Sequence, residues 1–133
     1  TRPDEALRHA TLAIFVTLIT LLAHSMTMFY LIGKGRAIRE AVTEGGLVTD
    51  AVLRVSALRG PVFKFATIAM GLTMLTAIIG GGVDTGVIPS GIHSFLAMTA
   101  LVASVVALRA IVHALNESSR IVEEVNEELN AKE

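Results

Sequence analysis

Cysteine and tryptophan are missing from the 133 residues, and tyrosine occurs once, as Tyr30. Without cysteine there is no disulfide, zinc-thiolate site, iron–sulfur cluster or thiol nucleophile. Without tryptophan and with a single tyrosine, the aromatic girdles that mark membrane–water interfaces are nearly absent. Lysine and arginine, burying their stems and keeping their charges in water, must then do more of the anchoring. Charge is scarce too: 17% of residues are Asp, Glu, Lys or Arg, against about 25% in a soluble domain. The formal net charge is −1, which supplies no basic stripe for a nucleic acid, and no nucleic-acid partner is expected.

What is present is apolar sequence in blocks. Residues 10–33 carry no charged side chain, and about 20 such residues cross a bilayer. The stretch is much longer than the 7–15 residues of a signal-peptide core, so it reads as a retained span. Two further uncharged stretches follow, at about 65–83 and 92–108. The fold expected is an all-α integral membrane protein, a single membrane domain over residues 1–133 with three transmembrane helices and the lipid bilayer as its solvent.

The polar segments sort by function. Thr1, Pro3, Asp4 and Glu5 have the order of a helix start, with a capping hydroxyl, an early proline and acids in the first turn. Between the first two spans, residues 36–59 carry an amphipathic pattern: the first helix can run on through Ala37, Ile38, Ala41 and Val42 until Gly45 and Gly46 stop it, and Val48, Ala51, Val52, Val55 and Leu58 then fall on one helical face. Such a segment packs on its own bundle, lies in the headgroup layer, or meets a partner protein. Pro61 suits the first turn of a new helix, and Ser90 a cap for the third span. Beyond Arg109, the positions Ile111, Leu115, Ser118, Val122, Val125 and Leu129 keep a helical stripe on an acidic surface. The tail at 110–133 therefore reads as a long helical extension of the third span, exposed and suited to a coiled coil. Lys34, Arg36, Arg39, Arg54, Arg59 and Lys64 crowd the first connection, whereas the one at 84–91 has no cation. By the positive-inside rule the N-terminus is outside and the tail cytoplasmic.

His24 is the least expected residue in the first span, because an ionisable ring inside a membrane is costly and usually has a task. Counting back from Lys34, Lys64 and Arg109 as the inner ends of the spans puts His24, Met74 and Met98 at a common depth near mid-membrane. Met28 and Met70 lie one turn from His24 and Met74. Imidazole and thioether are axial ligands of haem iron and donors to copper(I). His24 with Met74 or Met98, or paired with His24 of a second copy, could hold a haem b. The set His24, Met28, Met70, Met74 and Met98 could instead hold copper. Against this, methionine is a common gap-filler, and an intramembrane histidine often only bonds to the next helix.

His9 and His93 both belong to the outer side and could approach each other. Asp84-Thr85-Gly86 copies the aspartic-protease triplet, but that chemistry needs two carboxylates sharing a proton, and a turn is the simpler reading. Small residues at Gly71, Ala77, Gly80, Ala97, Ala100, Ala103 and Ser104 suit close helix packing. The function expected is a non-catalytic membrane subunit, assembled as a homo-oligomer or with other membrane subunits, with haem b or a soft metal at His24. The alternative is an oligomeric channel or small transporter with a pore lined by His24, Ser25, Thr27 and Thr73.

Overall fold

The computed structural model describes residues 3–132, and the cap suggested for Thr1 lies outside them. The described residues form three helices and no strand: α1 (Pro3–Glu44), α2 (Ala51–Asp84) and α3 (Ser90–Asn130). Each is long and apolar enough to cross a membrane. At 1.5 Å per residue, the 42 residues of α1 and 41 of α3 reach about 60 Å, about twice the hydrocarbon thickness of a bilayer. The apolar stretches are thus segments of longer helices, and the polar segments continue them.

Two glycines set the corners. Gly46 (φ 57°) and Gly86 (φ 75°) take the left-handed conformation that only glycine adopts without strain. At the first, the amides of Gly46 and Leu47 donate to the carbonyls of Thr43 and Val42. At the second, Gly86 and Val87 donate to Val83 and Gly82. Both are Schellman caps, which satisfy the last carbonyls of α1 and α2. Lys132 reaches back to the carbonyls of Gly45 and Gly46 (3.2 and 2.9 Å). Asp84-Thr85-Gly86 is this second turn, with the Thr85 hydroxyl donating to the carbonyls of Gly81 and Gly82.

Three local expectations are corrected. Pro61 does not begin a helix; α2 runs through it. The buried residues Val55, Val62, Ala66 and Ala69 form one unbroken stripe on either side of the proline, and Pro61 itself is exposed. Packing along that face outweighs the roughly 3 kcal/mol that an interior proline costs. Ser90 does not cap α3; Pro89 occupies the cap position in an extended conformation, with no side-chain cap bond. Residues 36–59 are not a separate amphipathic helix but the end of α1, the turn, and the start of α2.

The large buried side chains concentrate where α1 ends and α2 begins. Ile38, Ala51, Val55, Ile121 and Val125 form one cluster, flanked by Leu47, Val122 and Leu129. Leu31, Val62, Ile111 and Ala114 form the next. The stripe of the tail therefore packs inside its own chain. Arg54 ties the tail to α2, bonding Glu124 and reaching Glu117 (3.4 Å) and Asp50 (3.8 Å). Chiefly through the Arg54 hydrogen bond, and then through its charge, the Glu124 carboxyl is held below its ordinary value, and Arg54 is pushed above its own. A carboxylate with a depressed folded pKa stabilises the fold above its unfolded value near 4.5 and loses that contribution as pH falls through the folded one. We expect the melting temperature of the wild type to exceed that of Glu124→Gln at neutral pH, and the gap to close below pH 4.5. Because both side chains are partly solvated, the gap is small. Melting curves of the two proteins from pH 7 to pH 3 check it; a gap that widens in acid refutes it.

Candidate functional site, a cleft at the His9 end of the bundle

Contacts between helices fix their register. Residues of α3 lie level with residues of α1 about 85 places earlier: His9 faces His93 and Lys34 bonds Ser119 (2.9 Å). Along the antiparallel α2, Ser25 meets Met70 and Leu31 packs on Val62. His24 is accordingly level with Ala69 and Leu108. Met74 falls level with about residue 19 of α1, and Met98 with about residue 14. The common depth expected for His24, Met74 and Met98 is not what these contacts give, because Arg109 is level with Ser25 and not with Lys34. The apolar band shared by the helices runs from His9 and His93 to about Lys64 and Arg109. His24 lies toward the edge marked by Lys64 and Arg109, and the level of Leu18, Leu75 and Val102 is its middle.

Exposure separates the predicted ligands as well. His24 is 7% exposed, against 49% for Met74 and 61% for Met98. Met28 and Met70 are half-buried, and the Ser25 hydroxyl donates to the Met70 sulfur at 3.7 Å. The hydroxyls suggested for a pore all have partners within the chain. Ser25 faces Met70, Thr27 donates to the Ala23 carbonyl, and Thr73 donates to the Ala69 carbonyl. Among the described residues no three His, Asp or Glu side chains gather around a point that one ion could occupy.

A different group of residues comes together. On α1, His9, Ala13, Thr17, Thr20 and His24 repeat at three and four residues and form one face. On α3, His93, Ala97, Ala100 and Ser104 do the same. α2 adds Thr73, Thr76 and Ala77. These side chains are too small to fill the space between α1 and α3 at this end, and the two helices pack less on each other than either does on α2. What remains is a partly open cleft of about 370 Å³, reaching from His9 and His93 to Thr20 and Ser104. Its hydroxyls sit at the middle of the apolar band. Thr73 and Thr76 spend their protons on the carbonyls of Ala69 and Leu72 (2.8 and 2.7 Å), leaving their oxygens as acceptors. Inward, Leu31, Val62, Ile111 and Ala114 close the interior.

At the mouth the His9 and His93 rings meet edge to face, with centroids 6.1 Å apart and planes at 82°. Gly80 makes room for the His93 ring, since a Cβ there would lie 3.1 Å from its Cε1. The His93 Nδ1 atom is buried and has no hydrogen-bond partner.

The approach of His9 to His93 was legible in the sequence; the hydroxyl face was not singled out. Its signal is the helical repeat of His9, Thr17, Thr20 and His24 within an otherwise apolar run. The chain matches no protein family, no curated protein and no solved structure in the comparisons made.

Proposed function

We propose that the chain is an integral membrane protein that assembles with copies of itself or with other membrane subunits through the α1–α3 cleft. The observation that carries this reading is a partly open cleft lined by small and hydroxyl residues, whose hydroxyls sit at the middle of the apolar band. In hydrocarbon, helix association relies on close backbone approach and interhelical hydrogen bonds, and small residues with threonine and serine are the composition of such interfaces. The cations Lys34, Arg36, Arg39, Arg54 and Arg59 at the tightly packed end support a cytoplasmic location for that end and the tail, with the His9 end outside.

Photocrosslinking in the native membrane tests assembly. Leu101 lines the cleft and is exposed, whereas Ile78 is exposed elsewhere on α2. A photoreactive residue at Leu101 should give a discrete protein adduct, and one at Ile78 mainly lipid adducts. Lipid adducts alone at both positions refute assembly through the cleft.

A haem b or soft metal at His24 is the second reading. It is favoured by the burial of that ring and the half-buried Met28 and Met70 beside it. Spectra of the oxidised and reduced protein, with metal analysis, decide it: a Soret band or bound metal must be present and must vanish in His24→Ala.

A further inference from the structure

We propose that His9 and His93 together bind a copper ion at the outer mouth of the cleft. The site is distinct from any at His24, which lies about 22 Å further along α1 at 1.5 Å per residue, and it does not depend on assembly. Three observations carry it.

The first is spacing. A ligating ring nitrogen lies about 2.0 Å from its ion and about 1.1 Å from its ring centre. Two imidazoles sharing one ion therefore have centroids about 5 Å apart at a tetrahedral angle and about 6.2 Å apart in line. The observed 6.1 Å is within that span, and because the rings meet edge to face, one ion fits between them once the exposed His9 ring turns to present a nitrogen. The second is the state of the nitrogens. His93 Nδ1 is buried without a partner, and a buried imidazole nitrogen with no hydrogen bond costs free energy that a metal bond would recover. Its ring is already seated on Gly80, while His9 on the neighbouring helix is exposed and free to adjust.

The third is the donor set, which selects the metal. Two imidazoles are present, and among the described residues no third histidine or carboxylate joins them. Zinc prefers four ligands in a tetrahedron. Copper has the higher affinity for nitrogen donors in the divalent series; as copper(I) it accepts two nearly in-line nitrogens, and as copper(II) it completes its sphere with solvent at the mouth. A bound ion would join the N-terminal ends of α1 and α3, the two helices that pack least on each other.

The test is titration of the full chain in lipid nanodiscs, free of any histidine tag, with copper(II) followed by electron paramagnetic resonance and metal analysis. Zinc is titrated in parallel. One copper per chain is expected, with hyperfine splitting from two nitrogens. Affinity should fall at least tenfold in His9→Ala and in His93→Ala, and should be unchanged in His24→Ala. His9→Ala keeps the test decisive even where His93→Ala disturbs the packing on Gly80. Copper binding unaffected by His9→Ala, or lost only in His24→Ala, overturns the site. Zinc binding more tightly than copper overturns the choice of metal.

Discussion

Replacing Leu18 by arginine should prevent most chains from inserting, whereas the same replacement at Leu53 should leave insertion and folding nearly unchanged. Both leucines are exposed, at 61% and 75%, so a soluble three-helix bundle would tolerate a charge equally at either, within about 0.5 kcal/mol. They differ in level. Leu18 sits with Leu75 and Val102 at the middle of the apolar band, and all three face outward. Leu53 lies beside Arg54 at the tightly packed end. At the centre of a bilayer, exchanging leucine for arginine costs about 3–4 kcal/mol on the insertion scale, a shift of roughly 100-fold or more in the inserted fraction. Insertion into microsomes, read by glycosylation sites placed in the turns, measures that fraction. Equal behaviour of the two variants would remove the bilayer from this account.

The same contrast explains how much of the molecule was legible beforehand. Three helices followed from charge-free runs, and the end of α1 from Gly45 and Gly46, because a left-handed cap requires glycine. The single helix from the third span into the tail followed from the continuous stripe of Ile111, Ser118 and Val125, all buried. Less legible was anything that depends on how helices slide past one another. Lys34, Lys64 and Arg109 look equivalent because each ends an uncharged run, yet Lys34 bonds Ser119, ten residues beyond Arg109. Long cationic side chains reach water from several depths, so a boundary lysine fixes depth only to within a few turns. That slippage separates His24 from Met74 and Met98. The cleft was hidden for another reason. Threonine in an apolar run can satisfy its hydroxyl on its own helix, as Thr73 and Thr76 do, and so gives no sign of which face it occupies. Pro61 misled in the same way: its local cost is real, but the stripe packed along the opposite face is a tertiary fact.

The uneven packing leads to the second large effect. Ile121 is 0% exposed and belongs to the cluster of Ile38, Ala51, Val55 and Val125. Ile121→Ala removes three buried carbons from a site held by three helices, and such truncations cost about 2–5 kcal/mol. Phe95→Ala removes more atoms, but Phe95 is exposed on the apolar band, and in a bilayer its loss exchanges contact with lipid for other contact with lipid. Amide hydrogen exchange in nanodiscs separates the two. In Ile121→Ala, protection should fall at least about 30-fold, the lower end of that cost, at residues 36–44, 51–58 and 118–128. It should hold within the apolar band, where helical hydrogen bonds have no water to exchange with. Phe95→Ala should change neither region appreciably. The prediction joins the two halves of the molecule: in a bilayer the His9 end would keep its helices because lipid leaves backbone groups no other partner, and the Arg54 end keeps its shape because Ile121 and its neighbours are packed. Loss of protection spreading evenly through all three helices in Ile121→Ala would instead make the bundle one cooperative unit, with the cleft a part of its core.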